Sequence, residues 1–230
     1  MRFPGALLGG TALVLGPVLL LAGTLARSPF HFFFPDQLRA AAEHPALMTA
    51  AYTAFLAGNV VMWLAVALLV QRIGVTRPAW ATWAGMLVTV GLFERTFHAG
   101  VDQAAFSATE HLGLERATDL VAKGYGDLHL FSYLSFTIMF GWFVLAIAAY
   151  LAGELGKVRS VALATMGLLP LGVLKGTEVV SIVGTVGLCI ALVPLGISVL
   201  AEQKPTKRQV LIALPTTLGL GALAVLSTLG

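Results

Sequence analysis

A chain of 230 residues that is 58% hydrophobic and only 11% charged, with a mean hydropathy of +0.90, carries more apolar surface than a water-soluble core of its size can hide. An average globular protein is roughly a quarter charged. The formal net charge of +3 comes without a compact Lys/Arg cluster able to follow a phosphate backbone, which excludes a nucleic-acid partner. The single cysteine, Cys189, lies inside an apolar run, which excludes an internal disulfide framework and a cysteine-based structural zinc site. The class these bounds define is all-α: a polytopic integral membrane bundle, one transmembrane domain over residues 1–230, with the lipid bilayer as its principal partner.

The first apolar run, residues 5–26, follows Arg2 and has the flavour of a signal peptide. Its length of about 22 residues nevertheless crosses the hydrocarbon at 1.5 Å per residue, and it counts as a span. Charged or Pro/Gly-containing breaks delimit further spans at about 47–70, 79–104, 128–151, 159–175, 178–200 and 209–229, giving about seven. Gly167, Pro170 and Gly172 interrupt the fifth, and only Lys175, Gly176 and Thr177 join it to the sixth. That pair reads either as a tight hairpin or as one broken, re-entrant unit.

Cytoplasmic connections carry the excess of Lys and Arg. With the N-terminus inside, Arg2, Arg72, Arg77, Lys157, Arg159, Lys204, Lys207 and Arg208 fall inside, and Arg27, Arg39, Arg116, Lys123 and Lys175 fall outside. The distribution predicts a cytoplasmic N-terminus and an external C-terminus. Two long connections then lie on the outer side, residues 27–46 and 106–127. The first opens on Phe30, His31, Phe32, Phe33 and Phe34, aromatics suited to the headgroup region. The second spaces Leu112, Leu114, Leu120 and Val121 among charges. Both predict short amphipathic helices that roof a cavity.

The stretch from Leu92 to Gln103 in the third span is the richest in chemistry. At 100° per residue, Arg95, His98 and Asp102 fall about 100°, 40° and 80° from Glu94, so four ionisable groups share one arc. Charge facing lipid is expensive, about 2.5–3.5 kcal/mol on insertion scales, so this arc faces the bundle interior. In the fourth span His129, Ser132, Tyr133 and Thr137 form a second polar stripe within about 140°. Asp127 points elsewhere and reads as a helix N-cap after the Gly124-Tyr125-Gly126 turn. Tyr52, Asn59 and Trp63 share a face of the second span, and Glu178 opens the sixth.

Two classes of function fit this cluster. The first is an enzyme acting on a lipophilic, lipid- or isoprenoid-like substrate from the outer leaflet. Glu94, His98, Asp102, His129 and Arg95 are its candidate catalytic residues, and Tyr52, Asn59, Trp63, Tyr133 and Glu178 its candidate substrate contacts. A divalent metal is the candidate cofactor, with His98, His129, Glu94 and Asp102 as a nitrogen/oxygen ligand set. The His-Glu-x-x-His signature is absent. The second class is a transporter or self-resistance binding protein for a small molecule, because intramembrane Asp, Glu and His form proton relays. A structural subunit is the blander alternative, in which Glu94 and Arg95 neutralise neighbours in a polar knot and Glu178 caps its helix.

Overall fold

The computed structural model describes residues 3–124 and 126–202, and every regular element among them is helical. Among the described residues four stretches are long and apolar enough to cross a bilayer: Ala6–Ala26, Pro45–Thr76, Leu130–Leu151 and Val179–Ala201. The first is α1. The second is α3, which follows the short α2 (Phe34–Glu43), and the last is α9. Leu130–Leu151 divides at Ser135 into α6 (Leu130–Leu134) and α7 (Phe136–Leu151). The expected span at 209–229 lies outside the described residues.

Prolines punctuate the long helices: Pro45 stands in the first turn of α3 and Pro78 in that of α4 (Pro78–Leu112), positions where the missing N–H would have no intrahelical acceptor anyway. At 35 residues α4 is the longest element, about 52 Å at 1.5 Å per residue. That exceeds the roughly 30 Å of hydrocarbon. The helix is not among the four apolar stretches, so the expected span at 79–104 is not one of them, and it runs past 104 into what reads from the sequence as a connection. Its last turns meet α2 and α5 (Leu114–Gly124), where Phe34, Leu38, Ala105, Ala117 and Leu174 form a small core separate from the main one. The two amphipathic helices thus cap one end of the bundle together, as their patterns predicted.

The run at 159–175 is not a continuous helix. It comprises α8 (Lys157–Ala164), a 3-10 turn at Thr165–Leu168 and then irregular backbone up to α9. Pro170 supplies no N–H, Gly172 takes φ 100° and Leu174 φ 49°, conformations a helix cannot accommodate. The segment still travels the length of the bundle. Where it leaves α7, Arg72 pairs with Glu154 and Arg77 Nε donates to Leu151 O at 3.2 Å. At its other end Gly176 N donates to Phe32 O at 2.8 Å and Thr177 Oγ1 to Thr24 O at 2.7 Å. The run is interrupted where Gly167, Pro170 and Gly172 fall, and Gly176 and Thr177 lead from it into α9.

Small residues let the long helices touch backbone to backbone, the usual basis of close association in lipid. Where α4 crosses α7, a Cβ added to Gly91 would lie 2.9 Å from Thr137 O, and one added to Gly141 would lie 2.9 Å from Val88 N. Gly141→Leu is therefore expected to force the pair apart and destabilise the protein by about 1–3 kcal/mol, read as a lowered thermal midpoint in detergent. Gly100→Ala, with nothing within 4 Å of the new Cβ, should leave the midpoint unchanged or raise it.

Candidate functional site

The helical arc on α4 survives folding as one polar ridge, but its members take different partners. Glu94 is fully buried. Ser135 Oγ, at the break between α6 and α7, donates to its Oε1 at 2.7 Å, while Oε2 has no hydrogen-bond partner among the described residues. His98 sits one turn on, its Nε2 3.9 Å from Glu94 Oε1 and its side chain 14% exposed. That separation is beyond a hydrogen bond but within the reach of an ion pair. A carboxylate whose one oxygen accepts from a hydroxyl and lies near an imidazole has the components of a proton-transfer pair.

Asp102, two turns beyond Glu94, faces the irregular segment instead. Its Oδ1 accepts the N–H of Leu174, a buried residue in the left-handed region. Arg27, at the end of α1, holds the same segment by donating from Nη1 to Lys175 O at 3.2 Å. Its guanidinium lies 4.4 Å over the Tyr52 ring and 4.7 Å over that of Phe55. Tyr52 donates its hydroxyl to Gln37 Oε1 at 2.9 Å, linking α3 to the capping helix α2. Buried irregular backbone needs partners for its polar groups, and Asp102 and Arg27 supply them here.

Between these groups is a cavity of about 50 Å³, lined by Arg27, Tyr52, Arg95, His98, Asp102 and Lys175 among others. Beside it runs a groove of about 440 Å³ that includes Phe97, His98, His129, Ser132, Ser135 and Lys175. His98 belongs to both. The expected meeting of His98 and His129 thus takes the form of a shared groove. His129 itself is exposed, its ring 4.9 Å from that of Phe97. It also serves as the N-cap of α6, with its backbone N–H donating to Ser132 Oγ at 3.2 Å, the capping place the sequence suggested for Asp127.

The remaining candidates lie away from this centre. Asn59 is buried and donates from Nδ2 to Leu92 O at 3.1 Å and Thr96 Oγ1 at 3.0 Å, a polar cross-link between α3 and α4. Trp63 stacks edgewise on Phe93 at 4.2 Å and borders a separate apolar hollow of about 380 Å³. Tyr133 is 67% exposed. Glu178 is exposed and receives the N–H groups of Ser181 and Ile182 on its carbonyl, the start of α9, which is the capping role weighed for it above. Among the described residues no group of three or more His, Cys, Asp or Glu side chains is placed to hold a metal ion, so Glu94, His98, Asp102 and His129 do not converge as a ligand set.

Ser135, Arg27 and Lys175 enter the site without having stood out in the sequence. Ser135 lies inside an apolar run and outside the stripe drawn through His129 and Thr137, because the helix breaks there and the phase of the stripe changes. Arg27 and Lys175 look like topology charges at span ends. The available signal was the Gly/Pro-interrupted run before Lys175, since discontinuous segments in membrane proteins tend to border binding sites. No protein-family model, curated protein or solved structure matches the chain.

Proposed function

We propose that the protein is a membrane-embedded enzyme that acts on a lipophilic substrate by acid–base chemistry. His98 is the proton-transferring group and Glu94 the carboxylate that balances its charge. The observation that carries this reading is the position of His98: it opens onto both the cavity and the groove, with a fully buried carboxylate 3.9 Å behind it. Ser135 fixes the carboxylate by its 2.7 Å hydrogen bond. Arg95, on the same face of α4 and lining the cavity, offers positive charge where negative charge develops. The test is turnover of a lipid extract by the purified protein, followed by mass spectrometry, with His98→Ala and Glu94→Gln as comparisons.

A second reading, a small-molecule carrier, draws support from the irregular backbone at 169–178 beside the cavity, the arrangement discontinuous transporter helices use. Uptake into proteoliposomes without chemical change of the solute would favour it over the enzyme.

The proposed topology is about seven crossings with the N-terminus cytoplasmic, supported by the charge distribution. Arg27, Phe32, Asp102 and Lys175 gather at one end of the bundle and Arg72, Arg77 and Glu154 at the other, in keeping with two oppositely facing sets of connections. In a Cys189→Ala background, Ser28→Cys and Glu115→Cys are expected to react with an impermeant thiol reagent applied to intact cells, and Lys157→Cys only after permeabilisation. The reverse pattern would invert the orientation.

A further inference from the structure

Among the described residues, the cavity at the capped end of the bundle is lined by Arg27, Arg95, His98 and Lys175 together with the carboxylate of Asp102. Asp102 is engaged by the Leu174 N–H, and Arg27 has placed Nε on Gly23 O and Nη1 on Lys175 O, each at 3.2 Å. Arg95 differs from both. Its Nε and Nη2 are buried and find no hydrogen-bond partner among the described residues, while the neighbouring Glu94 directs Oε1 to Ser135. A buried guanidinium with unfilled donors is destabilising until an acceptor meets them. Its planar fork matches the paired oxygens of a carboxylate or phosphate.

The dimensions narrow what that acceptor is. A cavity of about 50 Å³ admits roughly three or four water-sized spheres, comparable with a carboxylate or phosphate group and far smaller than a whole lipid. His98, Gly172 and Lys175 line both the cavity and the adjoining groove of about 440 Å³, so a molecule whose head fills the first has space for its body in the second.

We propose that the cavity binds the anionic head, a carboxylate or phosphate, of an amphiphilic substrate, with Arg95 supplying the fork and Arg27 and Lys175 the surrounding positive field. This builds on the reading that the substrate is lipophilic and adds the chemistry of its head. It also sets the first atoms beyond the head beside His98, the proposed proton-transferring group.

Binding is measured on the full-length protein in neutral detergent, by thermal shift and native mass spectrometry, independently of turnover. Oleate or phosphatidic acid is expected to bind saturably and stabilise the protein, whereas methyl oleate and diacylglycerol at equal concentration do not. Arg95→Met should weaken binding of the acid roughly tenfold or more, Arg95→Lys should weaken it less, and Arg39→Gln, at an exposed site paired with Asp36, should leave it unchanged. Indifference between oleate and its ester in the wild-type protein overturns the proposal even if Arg95→Met fails to fold. So does undiminished binding by a monodisperse Arg95→Met protein. Acetate or inorganic phosphate binding as tightly as the lipids would assign the site to a free anion and overturn the amphiphile. Anion binding with no lipid turned over would sink the acid–base reading alone, and His98-dependent turnover with no preference for an acidic head would sink this one alone.

Discussion

Replacing His98 by Ala is expected to lower turnover by on the order of 10²–10⁴-fold, the span general acid–base groups typically contribute, while the protein stays monodisperse. The imidazole lines both the cavity and the groove, and among the described residues no hydrogen bond ties it to another helix: its Nε2 is 3.9 Å from Glu94 Oε1, on its own helix. Removing it therefore leaves no cross-helix partner stranded. Glu94→Gln retains an oxygen for the Ser135 hydroxyl but cannot carry the charge that steadies a protonated imidazole. A loss on the order of 10²-fold is expected, with thermal stability near that of the wild type. Ser135→Ala should give a smaller loss, since it loosens the carboxylate without deleting it. If His98→Ala and Glu94→Gln both aggregate while activity per folded molecule stays normal, the pair is a structural knot and the site assignment falls.

The second large effect concerns Asp102, where stability is expected to change more than chemistry. Its carboxylate accepts the N–H of Leu174, and both residues are buried. Asp102→Ala leaves that donor without an acceptor, a loss of about 1–3 kcal/mol, and releases the irregular segment that walls both the cavity and the groove. Asp102→Asn can still present an oxygen to the same N–H, so it should recover most of the stability and most of the activity. Thermal unfolding and turnover of the two variants side by side decide the matter. An Asp102→Asn protein of wild-type stability that has lost turnover would give Asp102 a chemical role in place of a positioning one.

These expectations divide the polar arc more finely than its spacing does. Helical periodicity places Glu94, Arg95, His98 and Asp102 on one face of α4, because 100° per residue is a property of the backbone alone. What each then meets depends on distant parts of the chain: Ser135 for Glu94, 41 residues on, and Leu174 for Asp102, 72 residues on. Asn59 shows the same limit. Its place on one helical face with Tyr52 and Trp63 marked it as a candidate contact, and the fold uses it to join α3 to α4.

The sequence by itself determined the all-helical class and located, among its expected spans, those at about 5–26, 47–70, 128–151 and 178–200 that the structure shows as long apolar helices. Hydropathy, Pro/Gly punctuation and the cost of charge in lipid are local quantities, summed along the chain without knowledge of neighbours. Only the tertiary structure decided that residues 159–175 travel the bundle as a broken segment, because Asp102, Arg27 and Phe32 supply the hydrogen bonds that its backbone lacks. Only it separated Trp63, Tyr133 and Glu178 from the polar centre and brought Arg27 and Lys175 in. Burial and charge balance are sums over groups far apart in sequence, and they take their values once the helices have been placed.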